Sequence, residues 1–314
     1  MKAVLRRERW VWPLLGILVL WAALVLVTDR FSLYSLSGVA ASASFLLLPS
    51  LGQMLVMTSG RGHIDLSIPS VVTLSAYLTT TVSGGQNGRL WVAVAVVLAA
   101  GLLIGALNAL LVLALRIPAM IATLASGYIL ATATLIVNGH VSGSGSAPML
   151  AGFASGRIGG LPVIAVVALV LAAFCAVLLR VTSWGRKLSA AGQNAEASRL
   201  SGIRVARVDA SVFIASAVLS AVTGCLLSGY AGGAFLEMGN PFLLQFVGAV
   251  VLGGTLIAGG MATTLGTLFG AFLLVMIVTT MQVAGLPPGM QDILQGAVII
   301  GVLIVAMPSG RKSA

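Results

Sequence analysis

Charge is scarce in this sequence. Of its 314 residues only 8% are charged, 59% are hydrophobic, and the mean hydropathy is +1.11. A soluble globular domain carries about 25% charged residues, so that class is excluded. Cysteine is nearly absent: Cys175 and Cys225 each sit inside an apolar run, which rules out a disulfide framework and a cysteine-based metal site. The chain contains no G-x-x-x-x-G-K-[ST], no H-E-x-x-H and no G-x-S-x-G, so it brings no phosphate loop, zinc-protease helix or nucleophile elbow of its own. His63 and His140 are far apart in sequence. The seven acids (Glu8, Asp29, Asp65, Glu196, Asp209, Glu237 and Asp292) form neither a carboxylate pair nor a metal cluster. No catalytic residue and no metal site is assigned. Aromatics make up 6%, and no apolar run carries a polar stripe.

What is present is a series of apolar runs, each long enough to cross a bilayer in about 20 residues. Alternation of the kind a membrane barrel needs is missing from them. The runs and their breakers predict an all-α polytopic membrane protein. Ten helices are expected, over about 11–28, 36–57, 67–83, 90–115, 117–137, 161–180, 208–230, 243–258, 263–283 and 290–307. The basic N-terminal flank followed by an apolar core reads as an uncleaved first helix. With the N-terminus inside, 14 of the 17 lysines and arginines fall on the cytoplasmic side, leaving Arg30, Arg89 and Arg157 outside. That bias places both termini in the cytoplasm, in agreement with an even number of crossings. The net charge of +10 thus reports orientation and not a nucleic-acid partner. The whole chain, 1–314, reads as one integral-membrane domain, with a cytoplasmic loop at 181–207.

Three connections stand out. Residues 58–70, TSGRGHIDLSIPS, place Arg61, His63 and Asp65 between two apolar runs, with Gly60, Gly62 and Pro69 interrupting the helical ladder. Such freed backbone groups are tolerated at membrane depth only beside protein or a wet cavity. Asp65 is expected to accept N–H groups at the start of the following helix, where the dipole favours a carboxylate, with Arg61 near enough to pair with it. The alternative is that the break lines a translocation path. Residues 138–160 are rich in glycine and serine and are expected to be irregular. Residues 253–267, GGTLIAGGMATTLGT, hold five glycines and no charge, which suits close helix approach or a second break.

The chain resembles the permease subunits of bacterial ABC importers for monosaccharides. Four blocks in family order carry the resemblance: HIDLSIPS, IGALNALLVLALRIPAMIATLAS (104–126), GRKLSAAGQNAEASRLSGIRVARV (185–208) and GAVVLGGTLIAGGMATTLGTLFGAFL (248–273). Departures include His63 where the family usually has glycine, and Leu243 and Gln245 where many members carry acids. On this resemblance the path or helix-break candidates are Arg61, His63, Asp65, Ser67, Asn108, Thr123, Gly253 and Gly254. The third block implies an ATPase-coupling segment comprising Gly192, Asn194, Ala195, Glu196, Ala197, Arg199, Gly202 and Ile203. Physically, Asn194 is a good N-cap, AEASRL is helix-forming, and Gly202 suits a left-handed stop. A helix over 195–201 is too short to be stable alone, so a docked partner would complete it. The resemblance implies a multi-pass protein of the bacterial inner membrane. Its partners would be a second permease in a homodimer or heterodimer, ATP-binding subunits, a periplasmic sugar-binding protein and membrane lipid. No cofactor is expected in this chain, with ATP and magnesium bound by the ATPase. The solute is read as a monosaccharide, the alternatives being a nucleoside, a polyol, a furanone-like signal, or passage through a stand-alone facilitator.

Overall fold

The computed structural model describes residues 10–28, 33–139 and 145–306; His140 lies outside them. Helices occur in all ten expected stretches: α1 (Val11–Thr28), α2 (Leu33–Thr58), α3 (Ile68–Ser83), α4 (Leu90–Leu113), α5 (Ala119–Asn138), α7 (Val163–Val181), α10 (Val205–Tyr230), α11 (Phe242–Leu252), α12 (Thr264–Val283) and α13 (Pro288–Ala306), of which α11 is too short to cross a bilayer by itself. Between them lie α6 (Pro148–Ser155), α8 (Ser183–Gln193) and α9 (Ala195–Leu200). Among the described residues, six of the helices are long and apolar enough to span a membrane. The class is all-α and polytopic.

The long helix α10 is the axis of the bundle. Val212, Phe213, Ser216, Ala217, Ser220 and Ala221 are fully buried along it, against α2, α3 and α4. Small residues set the spacing. A methyl at Gly105 of α4 would lie 2.5 Å from the Ile214 Cα, and one at Gly52 of α2 would lie 2.7 Å from the Ser216 Cα. Backbones approach this closely where lipid gives no hydrophobic drive and van der Waals contact holds helices together. The outer helices α4, α5 and α7 instead expose Leu103, Ile129 and Val170, as expected of a lipid-facing surface.

Three elements differ from the sequence expectation. The outer segment 138–160 is ordered in its second half. Pro148 opens α6, and 157–162 form a two-stranded hairpin, β1 (Arg157–Ile158) with β2 (Leu161–Pro162), in which Arg157 pairs Pro162. Its turn residues, Gly159 and Gly160, have φ of 57° and 86°, the conformation a tight primed turn requires. The expected helix 243–258 ends at Leu252, because the chain turns left-handed at Gly254, Gly259 and Gly260 and runs irregularly to α12. The loop 181–207 holds two helices where one was expected. In α8, Gly185, Leu188 and Ala191 face inward while Arg186 and Lys187 face out. This amphipathic pattern is too polar to register as an apolar run.

Candidate functional site

The break at 59–67 leaves α2 at Thr58 and enters α3 at Ile68. Its polar groups are knotted to four helices. Asp65 Oδ1 accepts from the Ser67 amide (3.0 Å) and the Ser67 hydroxyl (2.6 Å), and Oδ2 accepts from Ser216 Oγ of α10 (2.8 Å). The Asp65 amide donates to Gln53 Oε1 of α2 (3.0 Å). From Ser67 the network continues: Asn108 Nδ2 of α4 donates to Ser67 Oγ (2.9 Å), and Ser126 Oγ of α5 donates to Asn108 Oδ1 (2.6 Å). Thr123 Oγ1 accepts from the Leu66 amide (2.9 Å). Asp65, Ser67, Asn108, Thr123, Gln53 and Ser216 are all fully buried. The carboxylate therefore bonds its own turn, at the residue before the helix, and α10; it does not cap the first turn of α3. Burial pushes the Asp65 carboxyl pKa up, against the downward pull of its three donors.

Arg61 and His63 occupy the end of the break nearer α2. Arg61 pairs with Asp209 of α10 at 2.5 Å and not with Asp65. Its left-handed backbone (φ 57°) turns the side chain outward to 37% exposure, so it reaches the start of α10 while Asp65 points inward. His63 Nδ1 meets Ser59 Oγ at 2.9 Å, and its ring lies 5.8 Å from Phe213. Burial, helped by the neighbouring Arg61 charge, lowers its pKa to about 4, so the imidazole is neutral at physiological pH.

The break meets the cytoplasmic elbow through glycine. The α8–α9 corner at Gly192 lies directly against Gly60, and both lie against Gly259 and Gly260 of the irregular segment 253–263. A methyl on Gly60 would sit 2.7 Å from the Gly192 oxygen, and one on Gly192 would overlap the Thr58 oxygen. The Gly260 amide donates to the Thr58 oxygen at 2.9 Å. Three connections thus touch backbone to backbone. Gly253 packs on Gly266 of α12, its oxygen accepting from Thr263 Oγ1 (2.6 Å), and Gly254 supplies the left-handed turn beside it (φ 85°). Helix approach and helix break, alternatives in the sequence, occur together here.

Beyond the junction, α9 projects outward. Asn194 Oδ1 accepts from the Ala197 amide (2.9 Å) as the N-cap. Gly202, at φ 81°, ends the helix, and the Ile203 amide returns to the Ser198 oxygen (3.0 Å). Glu196 and Arg199 pair at 2.8 Å with both side chains mostly exposed, Ala197 is exposed, and Leu200 is 83% exposed. Ala195 is half-buried at the base of the elbow. Sequence reasoning missed Gln53, Asp209, Ser216, Ser126, Gly60, Gly259 and Gly260 as partners of the singled-out residues. Gln53 carried a usable signal, as a lone amide inside an otherwise apolar run.

A buried polar break, glycine contacts to a second break, and a short exposed elbow lie together within one bundle of apolar helices. The family model described as branched-chain amino acid transport system / permease component matches residues 35–303, and the chain belongs to that family of importer permeases. Autoinducer 2 import system permease proteins LsrC are similar to it. The protein from Yersinia pseudotuberculosis serotype O:1b (strain IP 31758) is 32% identical over 303 residues, covering 93% of this chain and 82% of the relative. That from Enterobacter sp. (strain 638) is 32% identical over 292 residues, with 93% and 84% covered. No solved structure matches the chain. The chain is accordingly a multi-pass permease subunit of an ABC importer in the bacterial inner membrane, not an enzyme. It works with an ATPase and a periplasmic binding protein.

Proposed function

We propose that this permease imports a neutral, sugar-like solute of monosaccharide size, and that autoinducer 2, the solute named for its relatives, is the first candidate. On this reading residues 1–314 form one membrane domain, which pairs with a second permease, either a copy of itself or a paralogue. The loop 181–207 receives the ATPase, which binds the ATP and magnesium; this chain holds no cofactor. Gly192, Asn194, Ala195, Glu196, Ala197, Arg199, Gly202 and Ile203 build the docking elbow. The observation that carries the coupling is Leu200, 83% exposed on a six-residue helix beside an exposed Ala197. A helix this short gains its stability from packing, and these outward groups are available to a partner. Movement of the elbow would reach the breaks at 59–67 and 253–263 through Gly60, Gly192 and Gly259. The buried network of Asp65, Ser67, Asn108 and Thr123 acts as the fixed end against which those breaks shift, with Arg61, His63, Gly253 and Gly254 on their moving sides.

The test is uptake of labelled autoinducer 2, ribose and leucine by cells lacking the gene, with and without the gene restored. Restored uptake of autoinducer 2 or ribose, lost when the partner ATPase is inactivated, supports the reading. Restored uptake of leucine alone refutes the assignment of the solute.

A further inference from the structure

The polar groups that the sequence did not concentrate on any one helix are gathered by three different elements. Past Tyr230 the chain runs without regular helix through 231–241. Gly239 fixes this segment to α3: its amide donates to Thr73 Oγ1 at 3.0 Å, and a methyl there would overlap the Pro69 oxygen. Pro69 lies two residues beyond Ser67, so the segment is anchored beside the buried Asp65 network. Between this segment, the first turn of α11 and the start of α13 lies a cavity of about 490 Å³, within the range of small-molecule sites.

Its polar lining comes from Glu237 and Asn240 of the segment, Gln245 of α11, and Asp292 and Gln295 of α13, with Phe235 at the side. Gln295 is 8% exposed and its amide nitrogen has no hydrogen-bond partner among the described residues. A buried donor left without a partner is costly, and an oxygen-bearing ligand in the adjoining cavity would supply one. The chemistry of the set selects the ligand. Two carboxylates repel an anion. A bare cation could take the amide oxygens but would leave the unpartnered Gln295 N–H without an acceptor. A neutral molecule with several hydroxyls satisfies both kinds of group, since each hydroxyl donates to a carboxylate or amide oxygen and accepts from an amide nitrogen. Phe235 adds apolar lining for its C–H surface.

We propose that this cleft is a solute-binding station on the translocation path, taking a neutral polyhydroxylated solute through Glu237, Gln245, Asp292 and Gln295. The proposal rests on the importer reading given above and goes beyond it by naming the site. Its tether at Gly239 to the start of α3 joins the station to the same helix break that the cytoplasmic elbow touches.

The experiment uses the whole importer, with its ATPase and binding protein, in proteoliposomes. Initial uptake of D-ribose, or of autoinducer 2 in its place where the wild type carries that and not ribose, and of the monodeoxy analogues of the solute used, is measured for the wild type, Asp292→Asn and Gln295→Leu. The ratio of variant to wild type cancels any preference of the binding protein. Uptake of that solute is expected to fall at least tenfold in each variant, and the fall is expected to shrink severalfold for at least one deoxy analogue, the one lacking the hydroxyl that the altered group held. Equal falls for the solute and every analogue would mean a structural role and would overturn the site, as would unchanged uptake. If Gln295→Leu does not assemble, Asp292→Asn, which keeps size and shape, decides alone by the same comparison. If the wild type carries neither ribose nor autoinducer 2, the solute assignment fails first, and the site falls with it. Transport by the wild type with insensitive variants refutes the site alone.

Discussion

Gly192→Ala is the sharpest perturbation this structure offers. Its added methyl would overlap the Thr58 oxygen on one side and lie 2.5 Å from the Gly260 nitrogen on the other. Both neighbours are backbone, so no side chain can swing away. To bring the Gly260 nitrogen to an ordinary contact of about 3.4 Å, the segment 253–263 must retreat by about 0.9 Å, taking 3.4 less 2.5. That retreat stretches the Gly260 N–H to Thr58 oxygen bond, now 2.9 Å. A lost bond of this kind costs about 0.5–1.5 kcal/mol, and overpacking about 1–3 kcal/mol. The expected loss is therefore about 2–4 kcal/mol, together with weakened coupling because the elbow is pushed off the breaks. Gly152→Ala is the control: it lies on the exposed side of α6 with nothing within 4 Å of the added carbon, and replacing a helical glycine is expected to stabilise by about 0.5–1 kcal/mol. Thermal unfolding of the purified proteins should place Gly192→Ala below wild type and Gly152→Ala at or above it. Uptake per ATP hydrolysed should fall in Gly192→Ala only. Equal unfolding temperatures and equal coupling in the two variants would refute the junction.

Asp65→Leu removes the acceptor of three hydrogen bonds and should lower stability by about 1–3 kcal/mol for each buried donor left unmet, while Asp65→Asn should retain most of it; chemical unfolding in detergent compares them, and equal losses would show that acceptor capacity is not what matters. His63 titrates well below its ordinary value in the folded chain, so the unfolded chain binds a proton that the folded one refuses. Stability contributed at this residue is complete above about pH 6.5 and should decline as pH falls toward 4, by up to about 3 kcal/mol; a His63→Gln variant with the same pH profile as wild type would contradict this. Ala197→Trp should release the ATPase, or leave it hydrolysing without transport, while Glu196→Ala should cost little, since exposed pairs contribute about 0–1 kcal/mol. Co-purification and binding-protein-dependent uptake measure both, and wild-type behaviour of Ala197→Trp would remove α9 as the docking site.

The crossings were legible because burial in lipid demands long apolar stretches with internally bonded backbones, a demand written directly into composition. The elbow was half legible. Asn194 and Gly202 announce α9 by local chemistry, but α8 depends on Leu188 and Ala191 meeting the bundle, a tertiary fact. The break was visible in Gly60, Gly62 and Pro69, yet its partners were not. Arg61 had an acid four residues away and took one 148 residues away, because the left-handed turn at Arg61 directs the side chain to α10. The cleft was illegible for a similar reason: Glu237, Gln245 and Gln295 belong to three separate elements, and no single helical face carries them.

The meeting of Gly60, Gly192 and Gly259 carries a consequence for how such an importer can be altered. A joint made only of main chain has no rotamers to absorb displacement, so it behaves as a gear without play: what moves one side moves the other at once. The exposed side chains proposed to meet the motor, Glu196, Ala197, Arg199 and Leu200, all lie on the far side of that joint. The outward teeth can therefore be recut to suit a different ATPase while the drive behind them stays as it is, so that exchanging residues 195–201 alone should transfer the choice of motor without retuning the path.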